Sequence, residues 1–239
     1  MIAVTFALPA ESSRFIGRLR EKKRIACGDT EMIDGKIDNR AIAVFHTGVG
    51  EKICRRRMAE FLQDRQFRLL ISAGFAGALT NAFEVGTVLL AQNFSTVNLE
   101  MSRAALSHLK ASPADLITVS RILGSHAERT RIAEQTAAAA VDMETEFIAR
   151  ACAARVVPLL AFRVISDTPS RPLPAPPDVL FDVAEQKTKL PRLGVHLAKH
   201  PLTLPRLVSF IRQVRAARSS LTIALETLLR SDFVAPFIS

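Results

Sequence analysis

Tryptophan and tyrosine are absent from this 239-residue chain, and only three cysteines occur in it. No tyrosine or tryptophan is interleaved with basic residues to stack on bases and the first 186 residues are nearly balanced in charge, so a nucleic-acid partner is not expected. Cys27, Cys54 and Cys152 lie far apart, form no CxxC pair and include an odd one. That pattern argues against a disulfide framework and a cysteine zinc site, and it points to a reducing, cytoplasmic compartment. Of the five histidines only His196 and His200 share a helical i,i+4 spacing. A catalytic zinc normally needs three protein ligands, so no metal or other cofactor is expected. No apolar run reaches the roughly 18 residues of a bilayer span. Met1-Ile2-Ala3-Val4 leads straight into an apolar strand without a basic leader, and neither export nor membrane spanning is expected.

What is present is enough apolar sequence, 49% of the residues, for a sizeable core. Continuous runs at Ile2–Leu8, Ile42–Phe45, Leu69–Ala73 and Leu159–Ile165 suit strands buried on both faces. Val85–Ala91 and Asp115–Val119 add two more. Between them Gly50–Gln63, Glu128–Ala140 and Thr145–Ala154 read as helices, the second rich in strongly helix-forming alanine. Strands alternating with helices imply an α/β fold of three layers, with a central mixed, mainly parallel sheet flanked by helices. Five prolines between Thr168 and Asp178 make that segment a stiff loop, either a lid over a pocket or a connector. Pro205–Arg230 then shows the apolar stripe of one long helix.

The net charge of +9 is concentrated late in the chain, where nine Lys/Arg from Lys187 onward face only Glu226 and Asp232. Residues 1–185 therefore read as the main α/β domain and 186–239 as a basic helical extension packed on it. The long basic helix either covers the sheet or lies on anionic lipid as a peripheral membrane contact.

Five short motifs stand at the ends of the expected strands: Ala7-Leu8-Pro9-Ala10-Glu11, Thr47-Gly48-Val49-Gly50, Ser72-Ala73-Gly74-Phe75-Ala76-Gly77-Ala78-Leu79, Val141-Asp142-Met143-Glu144 and Arg163-Val164-Ile165-Ser166-Asp167. In that order they resemble the nucleoside phosphorylase/nucleosidase superfamily. They are most similar to its methylthioadenosine/S-adenosylhomocysteine nucleosidase branch and to the nucleosidase-like proteins associated with hopanoid synthesis. The resemblance implies a phosphorylase/hydrolase-like fold, a homo-oligomer that is often a dimer, and cleavage of the N-glycosidic bond of a purine, adenosine-type nucleoside.

It further implies Asp167 as the acid that protonates purine N7 and Glu11 as the residue that activates water. Substrate contacts are implied at Glu144, which would take the ribose hydroxyls, and at Met143, Ala73, Gly74, Phe75, Arg163 and Ser166. An aspartic acid keeps a proton near neutrality only in a shielded setting, so an apolar, water-poor environment is expected around Asp167. Asp142 is expected to serve the start of a helix rather than the chemistry. Arg163 either orients carboxylates near the pocket or forms a structural ion pair.

Water is favoured over phosphate as nucleophile, because Glu11 facing a dianion would be repelled by about 4 kcal/mol per charge pair at ~4 Å. Phosphorolysis, with Arg14 or one of Arg55 to Arg57 reaching the site, is the alternative. A catalytically inactive nucleoside-binding protein on the same scaffold is a second. The chain departs from the nucleosidase branch at Phe75, where a serine is usual, and over Phe94–Ala114, which is shorter. A greasier, shortened pocket beside a basic tail would suit an apolar 5′ group, as the hopanoid-associated relatives imply.

Overall fold

The apolar runs become strands with alternate residues on opposite faces. In the computed structural model, which describes residues 1–100, 102–182, 186 and 190–237, β1 (Ile2–Phe6) is buried throughout. Ile2, Val4 and Phe6 point to one layer of core while Ala3 points to the other. The chain continues through α1 (Pro9–Arg18), β2 (Arg20–Cys27), β3 (Thr30–Ile37), β4 (Arg40–His46), α2 (Glu51–Leu62), β5 (Leu69–Ala78), β6 (Val88–Ala91), α3 (Arg103–Leu106) and β7 (Ser112–Ala114). It then forms β8 (Leu116–Thr118), α4 (His126–Thr136), β9 (Ala140–Asp142), α5 (Thr145–Ala154), β10 (Leu159–Asp167), α6 (Pro177–Leu180), α7 (Leu190–Lys199) and α8 (Leu204–Arg230).

The strands make one mixed sheet in the order β2-β3-β4-β1-β5-β10-β6-β7, with β9 joining β5 to β8. The four central strands, β4, β1, β5 and β10, run parallel and end on the same edge. On one face α1 and the second half of α8 bury Phe15, Leu221, Leu225 and Leu228 against the strands. On the other, α2 and α5 bury Met58, Phe61, Ile148 and Cys152. There Phe61 stacks between Phe45 and Phe67 at centroid separations of 4.2 and 4.8 Å. Such contacts add about 0.5–1.5 kcal/mol each beyond burial.

Two parts of the architecture depart from the sequence reading. The β2–β3 hairpin is not anticipated, because Arg20-Glu21-Lys22-Lys23-Arg24 is solvated and carries no apolar alternation. The alanine-rich helix stops early, at Thr136. Ala137 takes a left-handed conformation with φ 55° and caps it, which releases Ala140 to start β9. Pro177 begins α6 inside the proline-rich loop, at a first-turn position where a missing N–H costs nothing. The expected boundary at residues 185 and 186 abuts positions 183–185 and 187–189, which lie outside the described residues, as do Lys187 and Lys189. Among the described residues no helix is long and apolar enough to cross a membrane.

Candidate active site

The parallel strands deliver their acidic neighbours to one edge, the usual position of a ligand site in an open α/β sheet. Glu11 stands in the first turn of α1, where a third-position glutamate can reach back to the free N–H groups ahead of the helix. Its Oε2 accepts bonds from the N–H of Ala7 at 2.9 Å and of Leu8 at 3.1 Å. Its Oε1 accepts the Phe75 N–H at 3.0 Å, which ties α1 to β5. A Cβ at Gly74 would lie 3.2 Å from Oε1, tighter than an ordinary contact, so glycine lets the carboxylate rest on the strand without being displaced. Burial pushes the Glu11 carboxyl above its ordinary value, against the opposing pull of those N–H groups and of Arg163.

Glu144 sits just ahead of α5 and accepts the Gly50 N–H at 3.0 Å. Gly50 has φ 86°, a conformation that favours glycine and aims this N–H at the carboxyl group. Burial, followed by repulsion from Asp142, pushes the Glu144 carboxyl up to about 8, with Glu11 adding in the same direction. Glu11 and Glu144 line one small cavity together with Ala73, Gly74, Phe75 and Arg163. It has room for about one water.

Arg163, buried on β10, reaches this cavity but is committed elsewhere. Its Nε lies 3.0 Å from Asp142 Oδ2, and it donates to Ser72 O at 2.7 Å and to Ser72 Oγ at 3.0 Å. Asp142 also accepts the Thr118 hydroxyl at 2.8 Å and the Thr145 N–H at 3.2 Å, so it serves the start of α5. The pair is a buried scaffold that holds β9, β10 and α5 in register around Glu144. Breaking such a pair by removing one partner costs about 3–5 kcal/mol.

Asp167 does not line the cavity of the two glutamates. A register shift in β10 between Ile165 and Asp167 sets it abreast of Gly77 on β5. Three residues of strand, about 10 Å, separate Gly77 from Gly74. Ser166 Oγ donates to Asp167 Oδ1 at 2.7 Å. Oδ2 is ion-paired with Arg129, a buried residue of α4. The setting is therefore shielded but not apolar, which corrects the expectation for Asp167. Met143 is buried beside Glu144 without lining the cavity.

Two further groups lie behind the site. Ser12 and His46, both buried, are 2.7 Å apart between Oγ and Nε2, directly behind Glu11. Burial, with Arg57 nearby, brings the His46 imidazole down to about 4, so it is neutral at ordinary pH. Neither this contact nor Arg129 has a local signature in the sequence. Roomier cavities exist elsewhere, such as one of about 510 Å³ against Val97, Pro158 and Phe233, at the opposite end of β10. It gathers no carboxyl groups, so size does not locate the chemistry. Among the described residues no three His, Cys, Asp or Glu side chains are grouped to hold a metal.

The same arrangement of sheet and helices occurs in solved enzymes. The 5′-methylthioadenosine/S-adenosylhomocysteine nucleosidase of Neisseria meningitidis, in complex with methylthio-immucillin-A, superposes with a TM-score of 0.70 over 96% of this chain and 98% of that one, at 15% identity. The futalosine hydrolase of Helicobacter pylori gives 0.68 over 95% and 96%, also at 15% identity. In sequence, a 5′-methylthioadenosine/S-adenosylhomocysteine nucleosidase of Glaesserella parasuis is 22% identical over 216 residues, 78% of this chain and 94% of that protein. The model of the phosphorylase superfamily matches residues 1–113 and 101–199. A match over so much of the length, on a fold whose strand ends carry the acidic groups, makes this chain a member of the phosphorylase superfamily.

Proposed function

We propose that this protein hydrolyses the N-glycosidic bond of a purine nucleoside of the adenosine type. The observation that carries the reading is the cavity shared by Glu11 and Glu144, sized for a single water, with a third carboxyl group about one nucleoside length along β5. Glu144 takes the ribose hydroxyls. Their O–H donors favour its charged form, which then faces the developing oxocarbenium ion. Glu11 receives a proton from the attacking water, a task suited to a carboxyl whose basicity burial has increased. As the bond from C1′ to N9 breaks, its electron pair goes to the base; Asp167, entering the reaction as the protonated acid rather than as the carboxylate paired with Arg129, gives its proton to N7 and is reprotonated by the one Glu11 took from water. The sum is nucleoside plus water to free base plus free sugar.

Water is favoured over phosphate because Arg163, the cation on the cavity wall, is spent on Asp142 and Ser72. The relatives named nucleosidase and hydrolase fit the same reading. Incubation with methylthioadenosine, S-adenosylhomocysteine, adenosine and inosine, with and without phosphate, tests it by base release. Free base and free sugar are expected without phosphate. A phosphate requirement would establish the phosphorylase alternative, and no release from any of the four would support the inactive binding protein.

We also infer a partner surface on the C-terminal helices, where α7, the turn after it and the first half of α8 expose Val195 (57%), Leu202 (88%), Leu204, Val208 and Ile211. Exposed Arg192, Lys199, Arg206, Arg212 and Arg215 accompany them, and no Asp or Glu occurs from Lys187 to Leu225. Apolar side chains interspersed with cations and free of anions match the headgroup region of an anionic bilayer.

A further inference from the structure

Gln186, the first residue of the basic extension, reaches back to the loop after β4, where its side-chain amide pairs with both polar groups of one residue. Its Oε1 accepts the Val49 N–H at 2.6 Å and its Nε2 donates to the Val49 carbonyl at 2.9 Å. Gln186 takes φ 56°, a left-handed conformation that a residue with a side chain keeps only where its surroundings hold it. Room for the amide comes from Gly48, where a Cβ would stand 3.1 Å from Oε1. Gly48 and Gly50, at φ 75° and 86°, flank Val49, so the peptide units on either side of it could turn over at little steric cost were they not held.

The Val49 carbonyl and the Gly50 N–H belong to one planar peptide unit and point in opposite directions from it. Gln186 holds one end of that unit, and the other end donates to Glu144 Oε1 at 3.0 Å. Whatever fixes the carbonyl therefore fixes the N–H, and a donor on the carbonyl also polarises the N–H toward its acceptor. We propose that Gln186 is a positioning residue for Glu144: through this peptide unit it sets the hydrogen bond that orients the carboxyl group facing the ribose. The proposal rests on the nucleosidase reading for the role of Glu144 and adds to it a residue outside the strand-end motifs. Gln186 itself does not line the cavity of Glu11 and Glu144, whereas Thr47, two residues before Val49, does.

Gln186→Met keeps the volume and removes both bonds. In the ligand-free variant, NMR is expected to show the Gly50 amide proton exchanging about tenfold faster than in wild type. The Glu144 carboxyl carbon is expected to titrate at higher pH, because the Gly50 N–H draws that carboxyl downward. For the nucleoside that wild type cleaves fastest among methylthioadenosine, S-adenosylhomocysteine, adenosine and inosine, kcat/KM is expected to fall about tenfold, the worth of one hydrogen bond to a charged group. Gln186→Glu keeps the acceptor for the Val49 N–H but loses the donor to its carbonyl, and it is expected to match Gln186→Met in all three measurements. A tether that merely fastens the extension would lower Tm and leave the carboxyl titration where it was. An unchanged titration or an unchanged kcat/KM in Gln186→Met, or wild-type behaviour of Gln186→Glu, would overturn the role. If Gln186→Met does not fold, Gln186→Glu decides alone. A wild type that releases base from none of the four nucleosides removes the nucleosidase reading, while amide exchange and carboxyl titration still decide whether Gln186 positions Glu144.

Discussion

Replacing Glu144 by glutamine changes one charge and almost no volume, and the amide oxygen can still accept the Gly50 N–H that Glu144 takes at 3.0 Å. What it removes is a buried proton-binding site. Burial and the repulsion of Asp142 bring this carboxyl up to about 8 in the folded protein, from 4.5 in an exposed chain. Between those two values the folded state holds a proton that the unfolded chain has released. Stability contributed by the group is therefore complete below the unfolded value and drains away as pH rises toward the folded one. Each pH unit in that window costs about 1.4 kcal/mol.

From about pH 5.5 to about pH 7.5 the loss from Glu144 alone is at most about 3 kcal/mol. In a chain of this size each kcal/mol corresponds to about 2–4 °C of Tm, so ligand-free wild type should melt about 5–10 °C lower at the higher pH. Glu11, raised by burial, slopes the same way and remains in both proteins. The difference between wild type and Glu144→Gln isolates Glu144. Thermal unfolding followed by circular dichroism should show the variant gaining on wild type as pH rises and drawing level or falling behind at low pH. Parallel curves for the two proteins, or a wild type that grows more stable across the window, would refute the account of a carboxyl held up by burial and Asp142.

Asp167→Asn should lower base release about 10²–10⁴-fold with little change in sugar-dependent binding, the usual worth of a general acid, and full activity would remove it from the mechanism. Glu11→Gln should lower kcat by at least about 10²-fold while KM stays nearly constant, because the lost group acts on water; rescue by added phosphate would contradict the hydrolytic reading. Wild-type protein should float with anionic vesicles at low salt and be released by high salt. Each basic contact contributes about 1 kcal/mol, so Arg206→Glu with Arg212→Glu should weaken binding by at least about tenfold. Flotation that ignores both charge reversals, or recovery wholly in the soluble fraction, would remove the membrane surface.

The parts of this structure that were legible in the sequence are those where a local pattern has one physical outcome. Unbroken apolar runs such as Leu159-Leu160-Ala161-Phe162 can only be central strands, and α5, expected over Thr145–Ala154, spans those residues. Strand-end motifs located Glu11, Glu144 and Asp167, which the structure places along the sheet edge. The β2–β3 hairpin was not legible, since a charged surface strand leaves little apolar alternation to read.

Arg129 shows why a local reading also mistakes the character of a site. An arginine in the first turns of an alanine-rich helix has the same local sequence whether its guanidinium meets solvent or a carboxylate. What turns it inward is distant: Asp167, 38 residues on, and Gly77 beneath both. The expectation of an apolar shell around Asp167 followed from considering that carboxyl alone, where shielding is the only means of holding a proton. Once a guanidinium shares the shielded space, the same carboxyl is held by paired donors rather than by an apolar shell. Gly74 and Gly77 embody that logic. Each is small where an acidic group lies against β5, Glu11 at Gly74 and Asp167 at Gly77.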